Sequence, residues 1–227
     1  MNNGMTGFNP ELVTQTIRGV QAAYEETVNT FFDGMQNRFV NRMAEIWACN
    51  VAVDFFNNVV KELVDRVING VAGDPHGDGI TTIFNSIVES INSCAQEWAA
   101  QTETAYQPQQ LSVVNKSLDV SVILENINGI RGIDLQSVPS VTSQFNELLG
   151  ATTTALTKAV DAVRNSGFVG GTMQDALIGN FSNIKKDIAE YIKIFINANE
   201  TFINSTKIRY GDTAGRIARA FAGQSNQ

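Results

Sequence analysis

The chain is short of the residues from which most active sites are built. It has one histidine, His76, and two cysteines, Cys49 and Cys94, among 227 residues. A single histidine cannot form a zinc site alone, and a Ser-His-Asp triad would have to use His76, which no nucleophile-elbow sequence accompanies. Asp74 and Asp78 flank His76, but their spacing matches no calcium loop. We therefore predict no catalytic, metal or cofactor site, and interpret the glycine-rich loop around His76 as a turn.

Clustered positive charge is also missing. The net charge is −7, from 16 lysines and arginines against 23 acidic residues, and no run is rich in Lys or Arg. Nucleic acids and anionic membrane surfaces are bound by clustered cations, so we expect neither as a partner. No stretch approaches the ~18 continuous apolar residues of a membrane span, and residues 1–10 lack the basic start and apolar run of a cleaved leader. The partners we expect are proteins.

The two cysteines permit one disulfide. Each lies among apolar neighbours within a helical pattern. They are either free thiols that behave as small hydrophobes, or a clasp between helices in an oxidising compartment.

Apolar residues at three- and four-residue steps predict an all-α chain of long antiparallel helices. Asn9 and Pro10 form a typical helix start, and Tyr106–Asn115 is interpreted as a linker. Residues 117–132 fit either a strand or a short helix. The predicted helical stretches are Pro10–Met43, Val51–Val67, Ile83–Trp98, Pro139–Val163 and Met173–Ile208, with Arg209–Gly223 as a final short helix or tail.

Two segments about 120 residues apart repeat one pattern. In each, a helical stretch leads to an aromatic residue, one residue separates this from a small residue, and a second amphipathic stretch follows. The centres are Trp47-Ala-Cys49 and Phe168-Val-Gly170. A period of this length favours a duplicated unit over a solenoid. We therefore predict two tandem helical-hairpin units, residues 1–108 and 109–227, that pack like a four-helix bundle.

Each centre has a simple local explanation. A tight turn between helices needs a residue that tolerates positive φ, which glycine supplies, and the aromatic residue can cover the end of the hairpin. An ordinary hairpin turn with a core aromatic explains the same residues, and we expect Trp47 to be largely buried. Because no glycine or proline lies between Met35 and Ile68, a continuous helix through Trp47 is also open.

These residues resemble the WXG superfamily, the helical hairpins exported by type VII secretion systems, which includes the early secretory antigenic target family. Its hallmark is Trp-x-Gly in the turn between two long helices. The first centre keeps Trp47 with Cys49 in the glycine position, and the second keeps Gly170 with Phe168 in the tryptophan position. The resemblance implies a non-enzymatic protein of such a pathway: a secreted substrate, a carrier or a partner of an effector. It also implies that hairpins pair, either between the halves of one chain or in a homo-oligomer.

The family's export signal, Tyr-x-x-x-Asp/Glu, has no strict match, although Tyr210-Gly-Asp212 lies in the corresponding place with a different spacing. In the same tail, Ile217 and Phe221 fall on one helix face with Arg216 beside them. This segment either docks into a groove of a protein partner, such as the secretion machinery or another hairpin protein, or caps the bundle. The resemblance implies a bacterial cytoplasmic protein that is then secreted or held at the cell surface.

A second hypothesis needs no secretion pathway. The polar, Asn-, Gln- and Thr-rich composition and the long helices also suit a structural protein that packs against its own copies, as in a phage particle or a surface assembly.

Overall fold

A computed structural model describes residues 7–69, 79–122, 132–163, 168–169 and 171–224. These residues are predominantly helical, which confirms the predicted all-α class at that level. The predicted loop around His76 lies outside the described residues. The helices are α1 (Pro10–Gly34), α2 (Asn41–Ile46), α3 (Asn50–Phe55), α4 (Lys61–Asn69), α5 (Ile80–Thr102), α6 (Val138–Val163) and α7 (Gly171–Gln224), with π-helical turns at Met35–Val40 and Phe56–Val60.

Helix α1 begins where the sequence predicts. The Asn9 side-chain oxygen accepts hydrogen bonds from the backbone N–H groups of Glu11 (3.0 Å) and Leu12 (3.2 Å), which are free donors at a helix start. The apolar stripe of α1 is buried, from Val13 through Phe31. A π-helical turn then joins α1 to α2 without a break in the helical path.

Gly34 ends α1 at a close approach to α6. A Cβ atom at this position would clash with the Leu148 side chain. The sequence offers Gly34 only as a weak point in the helix, but the fold uses its missing side chain to admit a neighbouring leucine.

Among the described residues, four strands of two residues each lie before or between the helices, and the sequence pattern does not predict them. They are β1 (Gly7–Phe8), β2 (Trp47–Ala48), β3 (Gly132–Ile133) and β4 (Phe168–Val169). Strand β1 pairs with β4 and β2 pairs with β3, both antiparallel. Each sheet therefore joins a strand that precedes a long helix, α1 or α6, to a strand that separates two helices.

The predicted linker lies in a segment without helix or strand that side chains hold in place. We call residues 103–121 the connecting segment. Three carboxamides each bind both the N–H and the C=O of one of its residues: Asn92 binds Gln109, Gln21 binds Ser112 and Gln36 binds Asp119. These carboxamides act as substitute peptide groups, so the segment is fixed without belonging to a sheet.

The chain forms two compact units, and each combines segments from both sides of the predicted boundary at residues 108 and 109. One unit contains β1 with β4, and the other contains β2 with β3. The division into two helical-hairpin units, residues 1–108 and 109–227, stays a prediction. The units consist of Met1–Phe32, Val64–Lys116 and Leu149–Ile192, and of Asp33–Leu63, Ser117–Leu148 and Lys193–Gln227.

Candidate functional site

Trp47 lies at a break between two helices, so the helix does not run continuously through it. Its backbone is extended (φ −135°, ψ 104°), and its N–H donates to the Met43 carbonyl at the end of α2. The side chain is fully buried, which confirms the predicted burial. Its ring packs against Phe55 and Phe56, with centroids 5.8 and 6.5 Å away. The indole is therefore a core group of this unit.

Cys49 completes the break and starts the next helix. Its backbone is fully extended (φ −167°, ψ 168°), and its carbonyl accepts from the N–H groups of Ala52 (3.0 Å) and Val53 (3.3 Å). Any residue adopts this conformation, so the cysteine fits here without strain and the turn needs no glycine. Because alternate side chains of extended backbone point the same way, Cys49 and Trp47 share a side.

Tyr210 of α7 meets this pair from 161 positions along the chain. Its hydroxyl lies 3.2 Å from the Cys49 sulfur, and both side chains are half-buried. Burial is the main cause that raises the Tyr210 pKa, and the hydrogen bond to Cys49 adds to it, whereas the Trp47 side chain acts in the opposite direction. The structure thus joins two of the residues that the sequence singled out separately, the small residue of the first centre and the tail tyrosine.

The indole N–H of Trp47 is the unusual polar group of the site. It is buried and has no hydrogen-bond partner within the part of the chain that the structure describes. It lies near enough to the Tyr210 hydroxyl to lower the pKa of that group, but the two groups do not meet the geometry of a formed hydrogen bond. Buried donors are nearly always paired, so an unpaired one calls for an explanation.

The second predicted centre, like the first, contains a two-residue strand between two helices. Phe168 and Val169 form β4 between α6 and α7, as Trp47 and Ala48 form β2 between α2 and α3. Gly170 lies outside the described residues, and of Phe168 the structure describes only the backbone. We call residues 47–49 the first junction and residues 168–170 the second junction.

The tail, predicted either to dock into a partner or to cap the bundle, is not a separate short helix: it continues the long helix α7. Asp212 is exposed and Ile217 is 53% exposed, while for Phe221 only its helical backbone is described. Arg209 and Arg216 lie along the same exposed surface, together with Thr213, which accepts a hydrogen bond from Arg216 (3.3 Å). The tail therefore presents cations beside an apolar side chain, in a protein whose overall charge is negative.

Sequence reasoning missed the three carboxamides that hold the connecting segment. Gln21, Gln36 and Asn92 carry no local signal, because their partners lie 91, 83 and 17 positions away. Within the described ranges, no three His, Cys, Asp or Glu side chains come together as metal ligands, and both cysteines are free thiols. No helix that the structure describes is long and apolar enough to cross a membrane.

Comparisons with protein families, with curated proteins and with solved structures found nothing that matches this chain.

Proposed function

We propose that this chain is a non-enzymatic helical protein of a type VII-like secretion pathway, acting as a secreted substrate, a carrier or a partner of an effector. The contact between Cys49 and Tyr210 carries the proposal. It brings an aromatic–x–small centre between two helices together with a tyrosine near the end of a long helix. In the WXG superfamily these are the two elements that accompany export.

The fold supports the proposal in a second way. Each of the two junctions pairs with a strand from the opposite half of the chain, in the manner of two hairpins that exchange strands. We propose that the halves are duplicated WXG-like hairpins, related to each other as two hairpins are in a dimer of the family. The protein then needs no second chain to complete the bundle.

The exposed tail is the surface that we assign to partner recognition. Ile217 is 53% exposed, and so is Val51 of α3, which provides a matched control. In a bacterium that carries a type VII secretion ATPase, the tagged chain should accumulate in the medium only when the ATPase is active. Ile217→Ser should reduce export strongly, and Val51→Ser should not. Deleting residues 212–227 should abolish export while leaving the melting temperature nearly unchanged.

Two results would contradict this function. One is a chain that stays in the cells, or appears in the medium equally without the ATPase. The other is a deletion of residues 212–227 that unfolds the protein, because the tail would then belong to the core. A cytoplasmic marker enzyme reports any cell lysis.

One observation favours the alternative, a structural protein that assembles with its own copies. Ile208, on α7 like Ile217, is 64% exposed, so the long helix presents two apolar side chains that contacts between copies could bury. Light scattering over a concentration series distinguishes the two functions. Open-ended growth that Ile208→Ser suppresses would favour assembly, whereas a monomer or small closed oligomer agrees with the secretion hypothesis.

A further inference from the structure

Three polar groups converge at the first junction, and export does not account for them. They are the Cys49 sulfur, the Tyr210 hydroxyl 3.2 Å from it, and the buried indole N–H of Trp47. We propose that Cys49 is a site of oxidation to sulfenic acid, and that the oxygen added to its sulfur is held by the Trp47 N–H and the Tyr210 hydroxyl.

The backbone geometry places the two donors on the side where the new oxygen would be. Cys49 and Trp47 are two positions apart on extended backbone, so their side chains point the same way. The Tyr210 hydroxyl lies 3.2 Å from the sulfur, and the Trp47 indole lowers the pKa of that hydroxyl, against the effect of burial. The hydroxyl therefore lies close to both groups. An oxygen bonded to this sulfur can accept from both groups, and would satisfy an N–H that has no partner among the described residues.

The reaction needs a peroxide as oxidant and nothing else. The Cys49 sulfur, as thiolate, attacks one oxygen of hydrogen peroxide, so that an S–O bond forms and the O–O bond breaks. The second oxygen leaves as hydroxide and takes up the proton that the thiol released, giving water. The sulfur loses the two electrons that the peroxide gains. Cys49 is half-buried, so a molecule as small as peroxide can reach it.

Cys94 provides an internal control, because it is also half-buried but has different neighbours. Burial and the negative charge of Glu97 raise the pKa of the Cys94 thiol. Both effects disfavour the thiolate, which is the species that peroxide oxidises. The two thiols should therefore differ in their reactivity within one molecule.

The test treats the full chain with dilute hydrogen peroxide and saturating dimedone, which traps sulfenic acid. Peptide mass spectrometry follows the adduct at each cysteine, and at saturation the rate of trapping equals the rate of oxidation. We expect Cys49 to be modified about tenfold faster than Cys94, as one hydrogen bond to a charged group would give. Equal rates, or faster labelling of Cys94, would overturn the proposal.

Two conservative variants test the donors. Trp47→Phe removes the N–H but keeps a buried ring, and Tyr210→Phe removes only the hydroxyl. Each should slow the modification of Cys49 by about tenfold and leave that of Cys94 unchanged. If neither variant slows it, the donors play no part and the proposal fails. Circular dichroism checks that each variant is folded; should one unfold, the other variant decides whether the donors act on Cys49.

Discussion

The two junctions follow one plan with different residues. In both, a strand of two residues lies between two helices, and the second helix starts two positions after the strand ends; residues 164–167 and 170 at the second junction lie outside the described residues. The second junction has the glycine that a tight turn is expected to need. The first has Cys49, in extended backbone that requires no glycine. At the first junction, therefore, the helix is broken by the burial of Trp47 and by pairing with Gly132–Ile133, and not by a helix-breaking residue.

The pairing partners extend the comparison. Strand β1 precedes α1 and pairs with the second junction, while β3 precedes α6 and pairs with the first. The two helix starts also correspond, since Asn9 caps α1 and Asp134 binds the backbone N–H of Gln136 (3.0 Å) ahead of α6. This exchange of partners between the halves supports the proposed duplication.

Removing the aromatic residue of the first junction should have the largest effect. Trp47→Ala should lower the free energy of unfolding by about 3–5 kcal/mol, because it leaves a cavity among Phe55 and Phe56. Chemical denaturation measures the loss, and Val51→Ala, at an exposed position of α3, should change little. If the junctions are equivalent, Phe168→Ala should cost a comparable amount. A Trp47→Ala protein as stable as its parent would remove the indole from the core.

The helices that lead into the two junctions should respond oppositely to added side chains. Gly34→Val should destabilise the protein by ~1–3 kcal/mol, because its Cβ would clash with Leu148. A Cβ atom added at Gly150 in α6 would have no neighbour within 4 Å. Gly150→Ala should therefore stabilise the protein by about 0.5–1 kcal/mol. Thermal unfolding of both variants measures the difference. Equal effects of the same sign would mean that α1 and α6 do not approach each other at Gly34.

The connecting segment should depend on its carboxamides. Gln21→Ala removes both hydrogen bonds to Ser112 and should cost about 1–2 kcal/mol. Gln15→Ala, at an exposed position earlier in the same helix, should have little effect. Hydrogen exchange at the Ser112 amide should become faster in the first variant alone. Unchanged exchange would show that the segment is held by other contacts.

The smallest predicted effect is a difference between the two helix starts in how stability depends on pH in acid. Hydrogen bonds from Ser137 and Gln136 lower the pKa of the Asp134 carboxyl below its ordinary value. Its contribution to stability is therefore present above the pKa of the unfolded chain and is lost as the pH falls through the lower folded value. Asn9, at the corresponding place before α1, does not titrate. NMR titration should give a depressed Asp134 pKa, and Asp134→Asn should reduce the acid dependence of stability; an ordinary pKa would contradict the cap.

Much of the helical fold could be predicted from the sequence, because long apolar stripes such as that from Val13 to Phe31 have a period that only a helix satisfies. The strands could not, since two residues carry no alternation to detect. Nor could the break at Trp47, which no glycine or proline marks. Of the candidate site, the individual residues Trp47, Cys49 and Tyr210 were recognisable. Their meeting was not, because tertiary packing alone brings Tyr210 to Cys49.

The exchange of strands between the halves is the central claim, and engineered disulfides test it most directly. Paired residues of antiparallel strands lie at distances that a disulfide spans, so in a Cys49→Ser, Cys94→Ser background two double variants are made. These are Ala48→Cys with Gly132→Cys, and Gly7→Cys with Val169→Cys. We predict that each oxidises to a cross-linked monomer with an unchanged circular dichroism spectrum, whereas each single-cysteine chain does not. Failure of either pair to cross-link within one chain would contradict the account.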